Sequence, residues 1–476
     1  MMPVCTVFFL PGLGLDATAA APLGEALDDR FRLVPIEFAV PAGEPDAVDG
    51  SVDALTRTAL AAIAREADGG PWILLAHSMG GKIAAAIAAH VLAGRTGPDG
   101  ESGLFGLAGS VLLAPSPPSP EPMSENRRVR MIGWVADEST LDEEQAQEFL
   151  SGNIASSLSD ADSASALQQL SRFPPSLWRG WLEVGSREDI SHEVGTLDLP
   201  VTVLAGDDDD DLGSTAQPAL LKDVYPRAHF VPLPSTGHLI AYERPNEVAK
   251  AIVELWDTVI EPAPQTPAEW GRLIASSRTD VEVRSNFAER AVPDDATYAP
   301  LALTEDQLAT LRRLADLLVP QPGTARIDLA ARVDARLAGK PGDGWRPAGL
   351  PDDRVAYRLG LDALAQTWPD SPADQRVLVG RLVAGEEAVA AFPTAELSRR
   401  WFEDVRVDLV QSWMAHPASQ ARIGYDGFAT GGTAPEPVGF SELAAGRRES
   451  WEPRELGRLG DRHENHDQEQ HERDDA

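Results

Sequence analysis

The segment Leu74-Leu75-Ala76-His77-Ser78-Met79-Gly80-Gly81 places one serine where it could become a nucleophile. It follows an apolar run and opens an Ala-rich helical pattern, the strand–turn–helix context of a nucleophile elbow. Such a turn strains the backbone at the serine, so the residues two before and two after it must be small. Here they are Ala76 and Gly80. Alanine in place of the more usual glycine keeps that steric condition. An alcohol is a weak nucleophile until a base takes its proton. Among the histidines, His238 is the candidate base, because Ser235-Thr236-Gly237-His238 forms a loop after a strand and before a closing helix. His229 alternates within Ala228-His229-Phe230-Val231 and reads as a packing or surface residue. The base needs a carboxylate on its far side to hold its tautomer. The strand Val201–Ala205 ends in Gly206 and five aspartates, Asp207 to Asp211, whereas Ala114-Pro115-Ser116 at the end of the preceding strand offers none. One of the five therefore faces His238 and the rest are solvated. Composition does not choose among them.

These groups need a sheet to position them. Short apolar runs predict strands at Val4–Leu10, Phe31–Ile36, Trp72–Ala76, Ser110–Ala114, Pro200–Ala205 and His229–Leu233. Helical patterns lie between them at Pro22–Leu27, Val52–Glu66 and Lys82–Ala93, with a closing helix at Pro245–Ile260. Apolar runs joined by helices indicate a mostly parallel sheet covered on both faces. From 116 to 195 the strand signal gives way to a helical, Trp-rich insertion (Trp134, Trp178, Trp181) behind a Pro-rich entrance. Such an insertion would sit over the carboxyl ends of the strands, where open α/β sheets bind ligands. Residues 1–260 thus read as one α/β domain, and 261–300, rich in proline and charge, as a linker. A second domain, 301–450, is all-helical, with helices at Thr304–Val319, Ile327–Leu337, Asp353–Thr367, Ala373–Ala384 and Thr394–Ala415. Thr304 and Gln307 have capping-box spacing. Residues 451–476 read as a charged, disordered tail.

A length of 476 residues exceeds one ordinary core, in keeping with two domains. The formal net charge of −34 argues against nucleic acid and against an anionic membrane surface as partners. Cys5 is the single cysteine, so no intrachain disulfide forms, and its apolar surroundings make it a small buried hydrophobe. The run Val4–Leu10 lacks preceding basic residues and ends in Pro11-Gly12, unlike a signal peptide. No stretch is apolar for the length of a membrane span. A cytoplasmic protein is expected. Residues 301–450 show no nucleophile elbow, no paired Cys/His spacing and no Gly-rich phosphate loop, so neither a metal nor a cofactor is expected.

Residues 4–258 resemble the α/β-hydrolase superfamily, in particular its cofactor-free esterase, thioesterase and perhydrolase-like members. The resemblance rests on Phe9-Leu10-Pro11-Gly12-Leu13-Gly14, Ala76–Gly81, Gly206–Asp209 and Gly237-His238 followed by Glu243-Arg244-Pro245. It implies an α/β-hydrolase fold with a helical cap, and a triad of Ser78, Asp209 and His238. The acid is the residue three after the strand-end glycine. It also implies an oxyanion hole from the N–H groups of Leu13 and Met79, and a structural role for His77. Most such proteins have His-Gly where this chain has Pro11-Gly12. The Leu13 donor survives that change. The expected activity is serine hydrolysis of a carboxylic ester or thioester, a small-molecule substrate.

Residues 300–450 resemble the third subunit of gluconate 2-dehydrogenase. The phrases are Gly342-Asp343-Gly344-Trp345-Arg346, Ala356-Tyr357-Arg358-Leu359-Gly360, Trp401-Phe402-Glu403-Asp404, His416-Pro417 and Ile423-Gly424-Tyr425-Asp426-Gly427-Phe428. That resemblance implies an accessory or assembly role toward a flavoprotein oxidoreductase bound through 301–450. His416, Tyr425 and Asp426 read as packing or interface residues.

Overall fold

Six apolar runs assemble into one parallel sheet of order β2-β1-β3-β4-β5-β6 in the computed structural model, which describes residues 3–39, 49–339, 348–432 and 439–455. The strands are β1 (Cys5–Leu10), β2 (Phe31–Pro35), β3 (Trp72–His77), β4 (Leu107–Leu113), β5 (Val201–Gly206) and β6 (Ala228–Leu233). All six expected strands form, with shifted ends. β1, β3 and β4 are buried along their whole length, as continuous apolar runs require when helices cover both faces. Leu10 pairs with Ala76, His77 with Leu113 and Gly206 with Leu233, so the carboxyl ends line one edge of the sheet. The chain leaves β1 for β2 on one side and returns as β3 on the other. The ends of β1 and β3 therefore flank the switch point, where such sheets open a crevice.

The helix Val52–Glu66 forms over the expected residues, with Ser51 accepting from Ala54 N at its start. The helix expected from Lys82 begins instead at Met79, because Ser78 turns directly into it. Between β4 and β5 lies the helical insertion, with helices Glu125–Gly133, Glu143–Ser151, Asp160–Arg172, Pro175–Gly180 and Ser191–Val194. Its centre is Trp178, ringed by Trp134, Phe149 and Phe173 at centroid distances of 6.0, 5.3 and 6.2 Å. The indole N–H of Trp178 donates to Met131 O (2.9 Å), which satisfies its one polar atom.

The described residues fall into two compact units. The first holds the chain up to Glu261, Thr266–Pro293 and the segment from Tyr425 onward; the second holds Pro262–Gln265 and Asp294–Gly424. This departs from the expected boundaries twice. The stretch read as a linker carries two helices, Ala268–Ala275 and Val281–Ala291, and both belong to the first unit. They bury Trp270, Leu273, Ile274 and Phe287, too few apolar residues over too few turns to show a clear period in the sequence. The segment assigned to the end of the helical domain also returns to the first unit. Phe428 packs edge-on against Phe287 at 4.9 Å, Trp270 Nε1 donates to Glu455 O (2.8 Å), and the Arg278 guanidinium lies 3.9 Å from the centre of the Trp451 ring. Nothing local signals that return. Residues 456–476 of the expected tail, and Gly342–Arg346, lie outside the described residues.

The second unit is helical: Glu305–Leu318, Leu329–Ala338, Asp353–Thr367, Pro372–Ala384, Ala395–Met414 and Pro417–Ile423. The Thr304/Gln307 capping box forms in both directions, at 3.3 and 3.0 Å. Buried Asp334 accepts from Tyr298 Oη and from the N–H groups of Leu301, Ala302 and Leu303, which pins the chain before the first helix. His416 is buried and accepts from Ala418 N (3.1 Å), capping the last helix. Among the described residues, no helix is long and apolar enough to cross a membrane.

Candidate active site

Ser78 directly follows β3 with φ 50° and ψ −117°, a conformation that costs a non-glycine residue about 1–3 kcal/mol. The surroundings enforce it. Ser78 N donates to Leu113 O (3.0 Å), while its carbonyl accepts from Gly81 N (2.7 Å) and Ser116 N (2.9 Å). A Cβ on Gly80 would stand 2.4 Å from Leu10 O, and one on Gly81 2.3 Å from Pro115 Cβ. That crowding is why small residues must follow the serine.

His238 is brought to Ser78 by the loop after β6. Its Nε2 lies 2.8 Å from Ser78 Oγ and its Nδ1 2.6 Å from Asp209 Oδ2. A carboxylate only accepts, so Nδ1 carries the proton and the bare Nε2 receives the serine hydroxyl. Asp209 Oδ1 also accepts from Asp211 N (3.2 Å) and Leu212 N (3.1 Å). Burial opposes its charge, yet His238 and these bonds hold the carboxyl down at about 2. Burial likewise works against a charged His238, but Asp209 outweighs it and raises the imidazole above its usual value. The other aspartates of the run face elsewhere. Asp207 accepts from Ser214 Oγ (2.6 Å), Asp211 pairs with Arg127 (2.5 Å), and Asp208 and Asp210 are exposed.

The N–H groups of Leu13 and Met79 begin the turn after β1 and the helix after Ser78. Among the described residues, neither donates to a protein acceptor. The other expected positions also have defined contacts. His77 is buried, with Nε2 2.8 Å from His238 O, and His229 is exposed on β6. Burial pushes the Cys5 thiol up.

Sequence reasoning missed the residues that hold this arrangement. Glu243 accepts from Gly237 N (2.7 Å), Ala155 N (2.9 Å), Ser156 N (3.0 Å) and Ser156 Oγ (3.2 Å), tying the His238 loop to the helical insertion. Asn153 O accepts from His238 N (2.8 Å) and Leu239 N (3.1 Å). Lys82, one turn beyond Ser78, is fully buried and donates to Gly185 O (3.2 Å) and Glu188 O (2.8 Å). Burial lowers its ammonium to about 8 against the pull of Glu121, Glu188 and Asp189. Glu121 accepts from Ser116 Oγ (2.8 Å), and burial raises its carboxyl. Lys82 did leave a sequence signal: it is the lone lysine in the otherwise apolar run Met79–Ala89. Among the described residues, no three His, Cys, Asp or Glu side chains come together as metal ligands would.

The family model described as "Alpha/beta hydrolase family" matches residues 7–251. A search of curated protein sequences finds no match. Solved structures similar to this chain include a thermophilic esterase from Thermogutta terrifontis, at 23% identity over 54% of this chain and 91% of that one, with a TM-score of 0.42. A bromoperoxidase from Bacillus anthracis is 14% identical over 54% and 93%, with a TM-score of 0.46. An esterase from Exiguobacterium antarcticum is 11% identical over 54% and 94%, with a TM-score of 0.45.

Proposed function

We propose that this chain, which belongs to the alpha/beta hydrolase family, is a serine hydrolase that cleaves a carboxylic ester or thioester through an acyl-enzyme. The observation that carries the reading is the unbroken line of hydrogen bonds Ser78 Oγ–His238–Asp209, at 2.8 and 2.6 Å. Ser78 Oγ attacks the acyl carbon while His238 Nε2 takes its proton. His238 then gives that proton to the departing alkoxide or thiolate, leaving the acyl group on Ser78. A water molecule, deprotonated by His238 in turn, releases the acid. Asp209 stays ionised and stabilises the imidazolium that forms in each half-reaction. The Leu13 and Met79 N–H groups receive the oxyanion, a contribution of roughly 10²–10³ in rate for each donor.

A fluorophosphonate label tests the reading, followed by p-nitrophenyl esters of increasing acyl length. Ser78→Ala should take no label and lose hydrolysis while melting near the parent temperature. Substantial hydrolysis by that variant would remove Ser78 from the mechanism.

For the second unit we propose an accessory role toward a flavin-dependent oxidoreductase. In the helix Ala395–Met414, Trp401, Phe402, Val405 and Leu409 fill the unit's own core, while Val407, Val410 and Met414 stand exposed along another face. That apolar face, exposed among the described residues, supports a protein-binding role. The full chain used as bait in its native host should recover a protein with flavin absorbance; recovery of none would sink this role and leave the hydrolase reading standing.

A further inference from the structure

We propose that His77 is a positioning residue for the proposed reaction, one imidazole that sets both the loop carrying His238 and the turn carrying Leu13. The inference rests on the serine-hydrolase reading and extends it to a side chain that reading leaves unused. His77 is the last residue of β3, so its ring starts from the rigid centre of the sheet. Its Nε2 lies 2.8 Å from the carbonyl oxygen of His238. A carbonyl only accepts, so Nε2 carries the proton and Nδ1 is bare. The His238 loop has no regular secondary structure of its own, and Glu243 and Asn153 O hold its N–H side at Gly237, His238 and Leu239. On the carbonyl side, His238 O accepts from Ile240 N (3.0 Å) within the loop itself and receives the His77 proton from the end of β3. The His77 bond is the one that ties the His238 carbonyl to the end of β3, so its loss would let that peptide shift relative to Ser78.

The other edge of the His77 ring faces the first turn. A Cβ on Gly12 would stand 2.7 Å from His77 Nδ1 and 3.1 Å from Ser78 Cβ. The ring therefore occupies the space that Gly12 leaves open, and Leu13, whose N–H is the expected oxyanion donor, is the next residue. Nδ1 is buried and has no hydrogen-bond partner among the described residues. A bare nitrogen is tolerated there only because the ring is neutral. Burial first, and then the neighbouring His238, lower His77 to about 3, so it stays uncharged beside the imidazolium that His238 becomes. The two rings lie 5.0 Å apart between centroids, close enough for a second positive charge to oppose that step.

The test compares three replacements in the full chain, read by the kinetics of fluorophosphonate labelling. His77→Gln puts an amide N–H near the place of Nε2, His77→Asn puts one near Nδ1, and His77→Phe keeps the ring without a donor. Asn and Phe should lower kinact by about 10–100-fold with KI within about twofold, the scale of a displaced reacting group. Gln should recover most of the loss. Equal kinact for Gln and Asn, or losses that follow melting temperature alone, would overturn the proposal. Should the variants fail to fold, ¹⁵N shifts of the native histidines decide: a neutral Nε2–H tautomer at His77 down to pH 5 supports it, and a proton on Nδ1 overturns it. A parent chain that takes no label defeats the serine-hydrolase reading and this inference with it, whereas Ser78-dependent labelling with unaffected His77→Asn defeats the inference alone.

Discussion

At the scale of single residues, the five aspartates after β5 are nearly equivalent in sequence and quite unlike in place. Only Asp209 has both carboxylate oxygens engaged by the His238 ring and by backbone N–H groups. Asp209→Asn should therefore lower kcat by about 10³–10⁴, because the amide can no longer fix the imidazole tautomer. Asp207→Asn should leave kcat within about threefold, its side chain bonding Ser214 rather than His238 among the described residues. Steady-state kinetics on one p-nitrophenyl ester separates the two; equal losses would mean the run acts through its summed charge. The pH profile follows from the same geometry. His238 must be neutral to take the serine proton, and Asp209 outweighs burial to raise it above the ordinary 6.5. Thus kcat/KM should fall as pH drops through a value above 6.5. In the residual activity of Asp209→Asn that limb should move to lower pH, since burial remains and the largest raising charge is gone.

At the scale of elements, the groups of the proposed triad come from the turns and loops at the strand ends, and the insertion between β4 and β5 ties the loops around His238 and Asp209 in place. Glu243 is the clearest case, with four donors from two loops converging on one carboxylate. Arg127 adds a second tie, donating to Asp211 (2.5 Å) and to Asn153 Oδ1 (3.2 Å). Glu243→Gln brings an NH₂ group up against N–H donors, and the structure must leave at least one unpaired, at about 1–3 kcal/mol. The expected outcome is a urea midpoint lowered to match, together with a drop in kcat, because Gly237 is the neighbour of His238. A variant with parental stability and rate would show that the loops hold their places without this clamp.

At the scale of the whole molecule, the first unit is completed by chain far from the sheet. Arg284 donates to Gly94 O (2.9 Å) and Ser285 Oγ to Leu92 O (2.7 Å), closing the end of the helix that starts at Met79. Phe105, Ile274 and Phe287 share a small buried cluster with Phe428 packed against it. The sequence alone suggests that residues 1–260 suffice; these contacts say otherwise. Ending the chain at 260 strips the cover from Phe105 and leaves carbonyls without donors. Each large apolar side chain so exposed costs about 1.5–3 kcal/mol. A fragment 1–260 should therefore be insoluble or melt at least about 5 °C below the first unit of the full chain. Parental melting of that fragment would make the later helices and the returning segment dispensable.

What the sequence determined by itself is what depends on near neighbours. Apolar runs set six strands, small residues around Ser78 set the elbow, and Gly237-His238 before a closing helix marked the histidine that meets Ser78. These signals are local because strand formation and turn sterics are local. Tertiary structure decided the rest. Which aspartate reaches His238 depends on how the loop after β5 folds beneath the loop after β6. That Glu243 clamps residues 155 and 156 depends on where the insertion lands. Trp270 bonds to Glu455, 185 residues away, only once both segments lie on one core. No period or spacing along the chain encodes such a meeting, since burial against a distant surface is settled when that surface exists.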